Sequence, residues 1–201
     1  MIAIIDYGAG NLQSVKKALD YIGAKSIITF DKSEIEAASH VILPGVGSFG
    51  DAMDSMRKRG LEETVRRSAN GEKPFLGICL GLQLLFAVSE ESPDAKGLGI
   101  FDGEIKKIPK ADGLKVPHMG WNSVRLCQRD GIFKGIPDNS YFYFVHSYYL
   151  SGAPENAVGA VTDYGVEIEC AVQRGLVAAT QFHPEKSSEA GLQLLKNFAE
   201  V

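Results

Sequence analysis

GICLGLQLL, residues 77–85, sets one cysteine between two glycines where a strand-like run gives way to a helix-like one. PFLGI before it (74–78) is short and apolar, as a buried strand is, and LGLQLLFAV after it (80–88) predicts a helix. A sharp strand-to-helix corner of this kind belongs to an α/β sheet. Working outward, IAII (2–5) predicts a first strand. Asn11 then caps a helix whose Leu12, Val15, Leu19 and Ile22 follow the i, i+3, i+7, i+10 spacing, and Gly23 closes it. SIITF (26–30) predicts a second strand, Ser33 and Glu36 a capping box for a short helix, and HVIL (40–43) a third strand. A helical pattern runs from about 50 to 70 after the loop PGVGSFG. This alternation predicts an α/β fold with a central, mostly parallel sheet flanked by helices on both faces. The loops DYGAGN, PGVGSFG and CLG then meet at the carboxyl edge of the strands, where such sheets place their crevice.

From about 97 to 182 the character changes to short β-like runs, among them GEIKKI, YFYFVHSYYL, EIECAVQ and LVAATQF. No helical period interrupts them, so antiparallel strands and hairpins are expected in the second half, before a last helix at about 188–199. With 201 residues and no linker, the expectation is a single domain over 1–201. Twenty-one basic against 25 acidic residues give a net charge of −4, which argues against a nucleic-acid footprint. No apolar run approaches the roughly 20 residues that span a bilayer, and MIAIIDYGAG has no basic n-region. Three cysteines without a framework or a CxxC pattern point to free thiols in the cytoplasm, and no metal or cofactor signature is visible. Cys127 and Cys170 are expected to be packing residues.

Cys79 opens the predicted helix, near the positive end of its dipole, where thiols become better nucleophiles. The backbone N–H of Leu80 is a candidate oxyanion donor. A buried, inert cysteine is the plain alternative. A thiolate nucleophile needs a base. His183 stands in QFHPEKS with Glu185 two residues on; in an extended segment the two project together, and Pro184 stiffens them. That is the logic of a nucleophile, base and orienter, although His-x-Glu alone is common surface decoration. Gly45, Val46 and Gly47 offer backbone N–H groups to a growing oxyanion, unless the glycines merely turn the chain. His40 is expected to be structural.

Taken together and in order, PGVG, GICLGLQ and FHPE resemble the class I (triad) glutamine amidotransferases over nearly the whole chain. The resemblance implies that Cys79 attacks the side-chain amide of glutamine, with His183 relaying protons and Glu185 orienting it. It further implies glutamine-binding roles for Gln83, on the same helix face as Cys79, and for His146, Ser147 and Tyr148. DYGAGNLQSV, VPHMGWN, FVHSYY and QFHPEKS are similar to one branch, the glutaminase subunits of imidazole glycerol phosphate synthases. That branch implies a separate (β/α)8 cyclase subunit, in a heterodimer, which uses the ammonia. A docking surface is expected at Asn11, Met119, Trp121, Tyr143 and Lys186, with core packing the alternative for Trp121 and solvation for Lys186. A glutaminase serving another ammonia-channelling synthase, a thiol hydrolase on the same scaffold, and a non-catalytic scaffold are the rival readings.

Overall fold

The computed structural model describes residues 1–111 and 113–201. The first half runs β1 (Ile2–Ile5), α1 (Leu12–Tyr21), β2 (Ser26–Thr29), α2 (Lys32–Ala37), β3 (His40–Gly45), α3 (Phe49–Lys58), α4 (Glu62–Ser68), β4 (Phe75–Cys79) and α5 (Leu80–Gln83). The second continues β5 (Val88–Ser89), β6 (Glu104–Lys107), β7 (His118–Leu126), β8 (Ser140–His146), β9 (Tyr148–Ser151), β10 (Val158–Asp163), β11 (Glu167–Arg174), β12 (Val177–Thr180) and α6 (Ser188–Ala199). Nine strands form one sheet in the order β2-β1-β3-β4-β12-β11-β10-β7-β8, and β5-β6-β9 form a small second sheet.

Alternation along the strands splits the core into two layers. Ala3, Ile5, Val41 and Leu43 pack with Ile35, Met53, Met56 and Val65 of α2, α3 and α4. Ile2, Ile4 and Ile42 pack with Val15 and Leu19 of α1 and with Leu194, Leu195 and Phe198 of α6. Burying each such side chain contributes roughly 1.5–3 kcal/mol. Both faces of the parallel half are therefore covered, as the alternating pattern predicts.

Four local expectations are corrected. The cap of α2 is Asp31, whose Oδ1 accepts from the Ser33 and Glu34 N–H groups, rather than a Ser33–Glu36 box. Asn11 precedes α1 but its side chain makes no cap bond. The stretch 50–70 is two helices, because Gly60 takes φ +66° and turns the chain between α3 and α4. The predicted helix 80–88 stops at Gln83. The carbonyls of Leu84, Leu85 and Ala87 instead accept from Leu98, Ile100 and Gly97, so the segment 97–101 takes over their bonding.

The largest correction concerns β12. LVAATQF belongs to the antiparallel half through β11, yet it also lies parallel to β4, with Thr180 beside Ile78. On the other side of β4, Gly45 of β3 lies beside Cys79. The order β3-β4-β12 thus delivers PGVG, Cys79 and the segment leading to His183 side by side at one edge. Gly77 and Gly81 permit this: a Cβ on Gly77 would lie 2.7 Å from the Gly81 carbonyl oxygen, and one on Gly81 would collide with the Leu43 carbonyl. Gly81→Ala should cost at least about 2 kcal/mol of stability through overpacking, read as a lower denaturant midpoint. An unchanged midpoint would contradict this account of the packing.

Candidate active site

Cys79 ends β4 with φ 55° and ψ −110°, a conformation that costs a non-glycine residue about 1–3 kcal/mol. The strained corner turns a 6 %-exposed cysteine into a cavity of about 300 Å³. Val46, Gly47, Cys79, Leu80, Gln83 and His183 line it, joined by Glu91, Pro117, Val145 and the HSY segment 146–148. The segment Cys79–Gln83, the glycine loop and His183, far apart in sequence, are brought together here.

Within the loop the two glycines do different things. Gly47 takes φ +104°, which a side chain would strain. Gly45 has no such φ; it is needed because a Cβ there would sit 2.5 Å from the Tyr7 hydroxyl and 2.8 Å from Leu80 Cβ. Val46 between them is 44 % exposed, so the loop is open to solvent.

His183 and Glu185 meet, though by a different route from an extended pair. Pro184–Lys186 is a turn of 3-10 helix, and this turn swings the Glu185 carboxylate under the ring, Oε1 2.7 Å from Nδ1. Both side chains are buried, and among the described residues neither His183 Nε2 nor Glu185 Oε2 has a hydrogen bond. Burial disfavours the imidazolium, but the adjacent Cys79 sulfur and the Glu185 carboxylate outweigh it and raise His183 to about 10. The turn is tied to β8: His183 N–H donates to the Tyr143 carbonyl, and Tyr143 N–H to Ser187 Oγ.

His146 and His118 lie at the facing ends of β8 and β7 and are hydrogen-bonded to each other at 2.9 Å. Burial lowers His118 to about 4. It lowers His146 to about 3, with His118 and His183 pressing the same way against the Tyr148 carbonyl. His40 stands edge-on to Phe198, away from this pair.

Two residues beside the sulfur escaped the reading of motifs. Glu91 follows no periodic signal; its Oε2 accepts the Phe49 N–H at 2.7 Å, which anchors the start of α3 just past the glycine loop. Gln181, fully buried, points Nε2 at Cys79 Sγ from 3.8 Å. Its signal was present, since residues 181 and 183 share a side of an extended run.

Of the five docking candidates, Met119 and Trp121 are 63 % and 50 % exposed on β7, so Trp121 is not core. The rings of Trp121 and Tyr143 meet edge-on, and Lys186 Nζ stands 5.7 Å from the centre of the Tyr143 ring. Asn11 lies at the start of α1, half-buried. Cys170 is buried, but Cys127 is exposed just past the end of β7 rather than packed. Among the described residues no helix is long and apolar enough to cross a membrane.

The family model for glutamine amidotransferase class-I matches residues 3–201. The chain is 53 % identical over 200 residues to the imidazole glycerol phosphate synthase subunit HisH of Moorella thermoacetica, covering all of this chain and 94 % of that protein. It is 51 % identical over 202 residues to the HisH subunit of Methanothermobacter thermautotrophicus, covering 100 % and 98 %. Among solved structures it is similar to a glutamine amidotransferase (TM-score 0.76, 22 % identity, 100 % of both chains). It is also similar to PurLQS from Thermotoga maritima (TM-score 0.75, 18 % identity, 99 % and 97 %). At those identities the structural likeness speaks for the fold.

Histidines held neutral by the fold bind protons more readily when unfolded, so the chain should lose stability as pH falls below about 6.5, towards the folded values of about 4 and 3 for His118 and His146. His118→Phe should make the fall in unfolding temperature between pH 7 and 5 shallower. An equally steep fall would contradict a neutral His118.

Proposed function

The chain belongs to the class I glutamine amidotransferases and, within them, to the HisH subunits of imidazole glycerol phosphate synthase, and we propose that it is their glutaminase acting through Cys79, His183 and Glu185. The observation that carries this is the shared pocket: one buried thiol, an imidazole paired at 2.7 Å with a buried carboxylate, and a glycine turn around a cavity sized for a small amino acid.

Cys79 Sγ, its proton already held on His183 Nε2, attacks the side-chain carboxamide carbon of glutamine. The negative oxygen is held by backbone N–H groups of the Gly45–Val46–Gly47 loop and of Leu80. His183 then protonates the departing nitrogen, ammonia leaves, and a thioester remains on Cys79. Water, deprotonated by His183, attacks the thioester and releases glutamate, with the proton left on His183. Glu185 holds the ring and stabilises the imidazolium throughout. Gln83, Ser147, Tyr148 and the region of His146 bind the amino-acid end. Glu91 adds a carboxylate for the α-ammonium group, since its Oε1 makes no hydrogen bond among the described residues.

A subunit implies a partner. The finer proposal is a (β/α)8 cyclase in a heterodimer, docked over Asn11, Met119, Trp121, Tyr143 and Lys186 and taking the ammonia directly, in the cytoplasm. The exposed Trp121 ring, set edge-on to the half-buried Tyr143 whose carbonyl accepts the His183 N–H, supports that face. The whole chain serves as one amidotransferase domain, with no cofactor of its own.

Glutamate release from glutamine, with and without the cyclase subunit, tests the proposal. Release should rise on adding the loaded cyclase and vanish in Cys79→Ala, and Glu185→Gln should lower kcat by about 10² to 10⁴. Lys186→Ala should weaken stimulation while leaving basal release in place. Activity surviving in Cys79→Ala, or peptide hydrolysis in place of glutamine hydrolysis, would refute it; equal release with and without cyclase would refute the partner.

A further inference from the structure

The polar wall of the pocket continues behind the residues that line it. The Tyr148 carbonyl oxygen, which can only accept, receives His146 Nδ1–H at 2.8 Å and Gln83 Nε2–H at 3.1 Å. A neutral imidazole protonated on Nδ1 has a bare lone pair on Nε2. His118 must therefore donate to it from its own Nδ1, 2.9 Å away. That leaves His118 Nε2 as an acceptor, and the Asn122 amide faces it at 3.4 Å. Asn122 cannot be turned over, because its Oδ1 accepts the Ser123 N–H and its Nδ2 donates to the Asp163 carbonyl.

At the other end, Gln83 spends its second N–H on Gln181 Oε1 at 3.0 Å. The same bond turns Gln181 Nε2 towards Cys79 Sγ. Every link has only one possible direction, so the chain from Asn122 to the sulfur behaves as a single oriented unit. Its centre is rigid as well: the His118 ring lies between those of Tyr164 and Phe144, with centroids 3.8 and 4.7 Å away.

We propose that His118 is a positioning residue for amide hydrolysis at Cys79, acting through His146, the Tyr148 carbonyl and Gln83 on Gln181, which donates a hydrogen bond to the sulfur. The role rests on the glutaminase reading above. Gln181 is fully buried and touches the reacting atom, offering Cys79 Sγ an N–H donor from 3.8 Å. His118 touches no reacting atom. Its task is to keep His146 in the tautomer that pins Tyr148, and so to hold both glutamine amides of the chain in place. β7 alternates, so His118 and Asn122 face this network while Met119 and Trp121 between them face solvent.

The test uses the full chain with its cyclase subunit and measures kcat and KM for glutamine. His118→Phe keeps the ring stack and deletes the donor; kcat should fall about tenfold, the rate equivalent of one buried hydrogen bond, with KM moving less. His118→Asn, whose Nδ2 takes the place of Nδ1, should restore most of that loss. Gln181→Glu still accepts from Gln83 but offers the sulfur no N–H, and should lower kcat by at least as much. It reads the chain from its other end even if His118→Phe does not fold. A Phe variant as active as the Asn variant, or an unchanged kcat in Gln181→Glu, would overturn the proposal. If the unsubstituted complex releases no glutamate the parent reading falls with it; if release is normal and His118→Phe matches it, only the positioning role falls.

Discussion

At Gly81 the chain passes so close to the Leu43 carbonyl that no side chain fits between them. That crossing forces α5 to fold back over β3 and β4 within one turn, and the strain is taken up at Cys79, with its φ of 55°. Once the corner is set, the neighbours of β4 decide what surrounds the sulfur. β3 ends beside Cys79 and hands over the glycine loop; β12 ends beside Ile78 and hands over Gln181 and His183. Strain at one residue, held by close-packed backbone on both sides, is what makes a site of three distant segments.

Charge is distributed around the sulfur with equal economy. Three histidines are buried near one another, His118 and His146 hydrogen-bonded together and His183 to Glu185, and they are pushed in opposite directions. His183 has a carboxylate and a sulfur to answer its charge and rises; His118 and His146 have only each other, an amide and a carbonyl, and fall. A positive charge in this pocket is therefore favoured at His183 and disfavoured at the other two imidazoles.

Much of this is legible in the sequence. Alternating apolar runs disclosed the parallel half, because strands buried on both faces read as continuous hydrophobic blocks. Cys79, His183 and Glu185 were legible because each sits in a locally constrained motif: a glycine-flanked corner and a proline-stiffened turn. What stayed hidden depended on long-range pairing. Nothing in LVAATQF distinguishes a strand with antiparallel neighbours on both sides from one that also slots parallel to β4. The early end of α5 depends on carbonyls captured by residues 97–101, and Glu91 reaches the pocket from a turn with no period of its own. For Trp121 the sequence leaves surface and core open, and the exposure that decides between them exists only in the folded chain.

If Cys79 Sγ is the atom that meets the carboxamide carbon of glutamine, covalent trapping will find it there. A glutamine analogue with an electrophilic carbon in place of the carboxamide, incubated with the chain and its partner subunit, should leave one adduct. Peptide mass spectrometry should place it on the fragment containing Cys79, and excess glutamine should prevent it. An adduct confined to the exposed Cys127, or labelling of Cys79 that glutamine does not slow, would contradict the claim.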